Sequence, residues 1–200
     1  MSHLEILAFY IDFTLLNSEQ NGDDLLRCKN EEFVSGSVFH LYNHAIDAYQ
    51  LFYDDRDYDF FILSLNIQLE KIPCSVFAYC LMPNHFHLLI RQDSDKKLYK
   101  ALNTAFISYA KYFNKKYDRK GPIFRSPLQH IKVNNKTYLI QLCKYIHLNP
   151  VYADLVNEPH EWFYSNYLEW INKRESKLFT KEVFDLCSLN PEKYIMLVKS

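Results

Sequence analysis

The chain has 200 residues, 48% hydrophobic and 16% aromatic, with 16 Tyr, 15 Phe and only 3 Gly, which suits one packed domain with terminal additions and excludes a disordered chain. No apolar run approaches the ~18 residues of a bilayer span and MSHLEILAFYIDFTLL lacks a signal-peptide pattern, so a soluble, cytoplasmic protein with no membrane role is expected. The net charge of −1 averages two unlike parts: residues 82–150 carry 13 Lys and Arg against 3 Asp and Glu, the remainder 10 against 21, so the middle of the chain offers a basic face to a polyanion.

Residues 1–16 are apolar enough for a strand or short helix, and 17–32 read as a polar, acidic loop or weak helix. VFHLYN (38–43) has strand composition. DYDFFILSLNIQLEKI (57–72) suits a helix ended by Pro73. SVFAYCLM (75–82) and HFHLLIR (85–91) form a hairpin about Pro83-Asn84. Ser94 or Asp95 can cap a helix with Leu98, Leu102, Phe106, Tyr109, Phe113 and Tyr117 on one face, closed by Gly121-Pro122. PLQHIKV (127–133) is a fourth strand. After the Asn134-Asn135 turn, TYLIQLCKYIHLN (137–149) is an amphipathic helix that Pro150 stops.

This order predicts an α+β, ferredoxin-like β-α-β-β-α-β fold: an antiparallel sheet with helices on one face, the other face open to a ligand, plus an appended helix and a helical C-terminal extension. Three parts are expected, an extension over 1–36, a central domain over 37–170 and an extension over 171–200. The five cysteines, Cys28, Cys74, Cys80, Cys143 and Cys187, are scattered and odd in number. They suit buried thiols in a reducing compartment better than a disulfide framework.

His85-Phe86-His87 opens the third strand. Strand alternation turns both imidazoles to one side with Leu89, and Phe86, Leu88 and Ile90 to the other. Two such imidazoles can share a divalent metal. On the last helix Tyr138 and Tyr145 stand seven residues apart, on nearly the same face. Spacing alone does not distinguish them. Asn149 lies one turn beyond Tyr145 on that face, whereas His147 projects from a different side. His40 and His44 read as structural or surface residues.

YCLMPNHFHLLI, followed about 58 residues later by CKYIHLNPVYADLV, closely resembles the REP-associated tyrosine transposases of the HUH superfamily of single-tyrosine, insertion-sequence transposases. KYFNKKYDRKGPIF and HEWFYSNY (160–167) add to the likeness, which spans roughly 37–170. The resemblance implies an HUH nuclease domain there, with a catalytic tyrosine on the appended helix. It picks Tyr145, directly before Ile-His-Leu-Asn-Pro, and leaves Tyr138 as a packing residue. It implies His85 and His87 as metal ligands, with Asn149 completing the set. The implied activity is cleavage and strand transfer of single-stranded DNA near hairpins through a 5′-phosphotyrosine. Magnesium or manganese suits this chemistry, because hard phosphate oxygens share the coordination sphere.

Lys111, Lys115, Lys116, Arg119, Lys120 and Arg125 face outward in this reading and position single-stranded or hairpin DNA through its phosphates. The chain departs from the family in carrying Asn43-His44 where an Asn-Arg pair is common, and Arg125-Ser126-Pro127-Leu128 where a Gly-Arg-aromatic element is common. A monomer is favoured over a homodimer. The competing reading is a domesticated, non-catalytic binder of structured or single-stranded DNA. RNA binding on the open sheet face lacks an aromatic signature on the strands.

Overall fold

A computed structural model describes residues 33–47, 49–175, 178 and 180–200. The readings made for 1–32 lie outside the described residues. Strands β1 (Val38–His44), β2 (Cys74–Met82), β3 (His85–Gln92) and β4 (Gln129–Val133) form one sheet in the order β2-β3-β1-β4. Every neighbouring pair is antiparallel. Helices α1 (Asp55–Leu69) and α2 (Leu98–Lys116) make the two crossovers, and α3 (Lys136–Tyr152) follows β4. Short helices α4 (Tyr167–Trp170), α5 (Glu182–Cys187) and α6 (Pro191–Lys199) finish the chain. The ferredoxin-like order expected from the sequence is the order observed.

Local chemistry sets the element ends. α1 begins at a capping box in which the Asp54 side chain accepts from Asp57 N and the Asp57 carboxylate accepts from Asp54 N. It ends at Leu69, short of Pro73. Neither Ser94 nor Asp95 caps α2: Lys97 occupies the cap position without a side-chain bond, and Ser94 Oγ accepts from Lys96 N before the helix starts. β4 starts at Gln129 rather than Pro127, consistent with proline having no N–H for a ladder. Asn135 caps α3 by accepting from Thr137 N and Tyr138 N. Pro150 does not stop α3, which continues to Tyr152. A proline within the last turn forfeits one bond, and Ala153 N still closes onto Asn149 O.

The sheet is covered on both faces. One core fills the space under α1 and α2, with Phe39, Leu41, Phe61, Phe86, Leu88 and Phe106 among its members. The opposite face was expected to be open, and here the structure corrects the sequence reading. Phe77, Ala78, Cys80, Met82 and Leu89 project to that side and form a second core with Leu142, Ile146, Trp170, Phe184 and Tyr194 from α3 and the C-terminal helices. Five apolar side chains on one sheet face require such cover. The stretch 162–170 seals the β2 edge: Leu81 N donates to Tyr164 O, while Asn166 Nδ2 and Trp170 Nε1 donate to Phe77 O.

Candidate active site

The site lies where the first turn of β3 meets the last turns of α3. Pairing with β1 sets His85 opposite His44 and His87 opposite Tyr42, and β2 sets Met82 and Cys80 beside them. Both imidazoles face α3, with ring centres 5.1 Å apart. Phe86 turns into the core under α1 and α2. The alternation expected for His85-Phe86-His87 is therefore the geometry of the folded chain.

His87 is 2% exposed. Its Nδ1 lies 3.0 Å from His40 Nε2, while its Nε2 is buried with no hydrogen-bond partner. His85 keeps an exposed edge; its Nδ1 lies 2.8 Å from Asn84 Oδ1 and its Nε2 3.1 Å from Asn149 Oδ1. Burial, helped by the nearby His44, pushes the His85 pKa down to about 3. Burial and the neighbouring imidazoles hold His87 well below its ordinary value. Both rings are thus neutral near pH 7, the form that binds metal.

α3 delivers Tyr145 and Asn149 to the same place. The Tyr145 ring packs edge-on against His87, centres 5.6 Å apart. Burial raises the pKa of its phenol, and a hydrogen bond with the Asn149 side chain opposes that rise. Tyr138, two turns earlier, neighbours Tyr42. Asn149 is the hub of this end of the helix, since its side chain reaches both Tyr145 and His85.

These donors fit a divalent cation. A neutral imidazole has one N–H, yet both His85 nitrogens face amide oxygens. If the proton goes to Asn84, the lone pairs of His85 Nε2 and Asn149 Oδ1 face each other at 3.1 Å. Adjacent ligands of an octahedral ion with bonds of ~2.1 Å stand about 3.0 Å apart. The unsatisfied His87 Nε2 lies on the same sheet face and, with the ring proton on Nδ1, offers a further lone pair. Among the described residues no group of three or more His, Cys, Asp or Glu side chains is arranged to hold a metal; beside His85 the side chain that could add a donor is the Asn149 amide.

The remaining candidates divide. His147 is fully buried away from this cluster, its ring nitrogens 2.6 Å from the Tyr194 hydroxyl and 2.9 Å from Asn166 Oδ1. It ties α3 to α6 and to the β2 edge, on the different side of the helix that the sequence predicts. His40 and His44 were expected to be structural or surface residues, but β1 brings both to the site. His40 bonds His87, and His44 stacks on His85 with ring centres 5.0 Å apart. Their signal was in the sequence: once β1 lies beside β3, residues 40, 42 and 44 share one face.

Lys111, Lys115, Lys120 and Arg125 are exposed. Arg125 N donates to His44 O, which places that residue beside the histidine end of the sheet. Lys116 needs a correction, because its ammonium is committed inward, 2.7 Å from the fully buried Asp57 carboxylate and 2.6 Å from Asp54. Arg119 lays its guanidinium over the Tyr49 ring at 4.5 Å.

A sequence profile for the family described as "Transposase IS200 like" matches residues 34–149, more than half of the chain. The chain belongs to this family. The matched segment of this IS200-like transposase runs from just before β1 to Asn149 and contains His85, His87 and Tyr145. Among solved structures the transposase is similar to one described as "Structure of the REP associates tyrosine transposase bound to a REP hairpin". The identity is 13%, the TM-score is 0.61, and the match covers 76% of this chain and 96% of that one. At that identity the likeness speaks for the fold. No curated protein sequence matches. Among the described residues, no helix is long and apolar enough to cross a membrane.

Proposed function

We propose that this transposase cuts and rejoins single-stranded DNA beside a hairpin, with Tyr145 as nucleophile and with His85, His87 and Asn149 holding magnesium or manganese. The observation that carries the reading is the convergence of a tyrosine, an amide and two neutral imidazoles at one end of the sheet. Two of them lie on β3 and two on α3, elements that come together only in the folded chain. The bound REP hairpin of the similar structure supports a hairpin substrate.

In this mechanism the Tyr145 oxygen attacks phosphorus while the bond to the 3′ oxygen breaks. The phenol loses its proton and the departing oxygen gains one, leaving a 5′-phosphotyrosine and a free 3′-hydroxyl. A bound cation would polarise the scissile phosphate and offset the charge that builds up on it. Asn149 orients both the phenol and His85, so the nucleophile and the metal-binding edge share one support. Attack by another 3′-hydroxyl on the phosphotyrosine reverses the chemistry and joins strands without an outside energy source. Exposed Lys111, Lys115, Lys120 and Arg125 would hold the phosphates on either side.

The test is incubation of the full chain with a labelled hairpin carrying a single-stranded flank, with manganese, magnesium or a chelator. A covalent protein–DNA adduct that needs the cation supports the reading. Tight hairpin binding with no adduct under any cation favours the non-catalytic binder instead.

A further inference from the structure

Resting on the metal-site reading above, we infer that His40 is a positioning residue that fixes which nitrogen of His87 carries the proton and so frees His87 Nε2 to bind the cation. His40 sits on β1 at 2% exposure, on the same face as His44, with its ring stacked on that of His87 at a centre distance of 5.1 Å. Its Nε2 is 3.0 Å from His87 Nδ1. The two outer nitrogens, His40 Nδ1 and His87 Nε2, are both buried without hydrogen-bond partners.

Two neutral rings sharing one hydrogen bond allow only two arrangements. In the first, His40 Nε2 donates to His87 Nδ1. His87 Nε2 then carries a proton, cannot bind a cation, and is a buried donor with nothing to accept it. In the second, His87 Nδ1 donates to His40 Nε2, the orphan donor moves to His40 Nδ1, and His87 Nε2 presents a lone pair on the face shared with His85. A cation satisfies that lone pair, and only the second arrangement permits it. Binding at His87 is therefore coupled to His40 as acceptor, and a ligand histidine held by a neighbouring acceptor gains both orientation and basicity. Asn84 Oδ1, 2.8 Å from His85 Nδ1, stands in the corresponding place for the other ring. β1 lies beside β3 along its whole length, so the acceptor is built into the sheet rather than into a loop.

The test compares the parent with His40→Leu, which cannot accept, and His40→Gln, whose amide oxygen can. Nitrogen-15 histidine NMR on the cation-free protein reads the His87 tautomer, and calorimetric titration with Mn²⁺ reads affinity. The parent and His40→Gln should show His87 protonated at Nδ1. His40→Leu should lose that state and bind Mn²⁺ roughly 10–100-fold more weakly, with His40→Gln restoring most of the affinity. Thermal melts confirm that each variant is folded. A parent with His87 protonated at Nε2, or equal Mn²⁺ affinity in His40→Leu, overturns the role of His40. A parent with the Nδ1 tautomer that binds no Mn²⁺ overturns the metal reading, and this use of His40 with it.

Discussion

Replacing Lys116 with Met separates a structural lysine from a DNA-contacting one. Asp57 is fully buried beneath the start of α1. Its Oδ2 accepts from Tyr53 N at 2.8 Å and from the Tyr117 hydroxyl at 2.7 Å, and its Oδ1 accepts from Lys116 Nζ at 2.7 Å. Met keeps the aliphatic stem and removes the only cation in that set. Breaking a fully buried pair costs about 3–5 kcal/mol. The Lys116 side chain is 23% exposed, so water reaches the ammonium and a loss of about 2–3 kcal/mol is expected. For a chain of this size that lowers Tm by about 5–10 °C. Adding Asp57→Asn to Lys116→Met should recover part of the loss, because no uncompensated charge is left behind. Circular dichroism melts give the stabilities, and fluorescence anisotropy with labelled single-stranded DNA at several salt concentrations gives the binding slope. A Lys116→Met protein with the parent Tm and a shallower salt slope would refute the reasoning and return Lys116 to the DNA surface.

Neutralising Lys111, Lys115 and Lys120 together should lower the slope of log affinity against log salt by up to about 2, at ~0.7 per single-strand phosphate contact, as measured in the same anisotropy assay. Tyr145→Phe should eliminate nicking while leaving DNA affinity and Mn²⁺ affinity within about twofold, whereas Tyr138→Phe should still nick; gel assays of labelled substrate decide between them. His147→Ala leaves the Tyr194 hydroxyl without its buried partner and takes one of two donors from Asn166 Oδ1, which keeps Tyr79 N, and with the cavity it opens should cost about 2–4 kcal/mol in thermal or urea melts. Removing divalent cations with a chelator should stop cleavage, and adding back manganese or magnesium should restore it in the same preparation.

The strand order and the facing of His85 and His87 were legible because both follow from local alternation, and the sheet preserves it. What escaped was non-local. An exposed sheet face suits a binding protein, yet Ala78, Cys80 and Met82 on β2 need cover, which α3 and the C-terminal helices supply. His40 looked like an isolated strand histidine until the pairing of β1 with β3 set it within hydrogen-bond reach of His87. Lys116 read as one more member of a basic run. Its partner Asp57 is 59 residues earlier, and no spacing rule links them. Pro150 marked a helix end to within two residues, which is as much as a missing N–H in the last turn can decide.

If Tyr145 is the nucleophile it becomes covalently joined to DNA, and mapping the adduct identifies it. Trypsin cleavage after Lys136, Lys144 and Lys173 separates residues 137–144, which hold Tyr138, from residues 145–173, which hold Tyr145. After reaction with manganese and nuclease trimming, mass spectrometry should find the phosphonucleotide on the 145–173 peptide, with fragment ions placing it at Tyr145 rather than Tyr152, Tyr164 or Tyr167. A modified Tyr138, or efficient strand cleavage with no modified tyrosine, would rule out Tyr145 as the nucleophile.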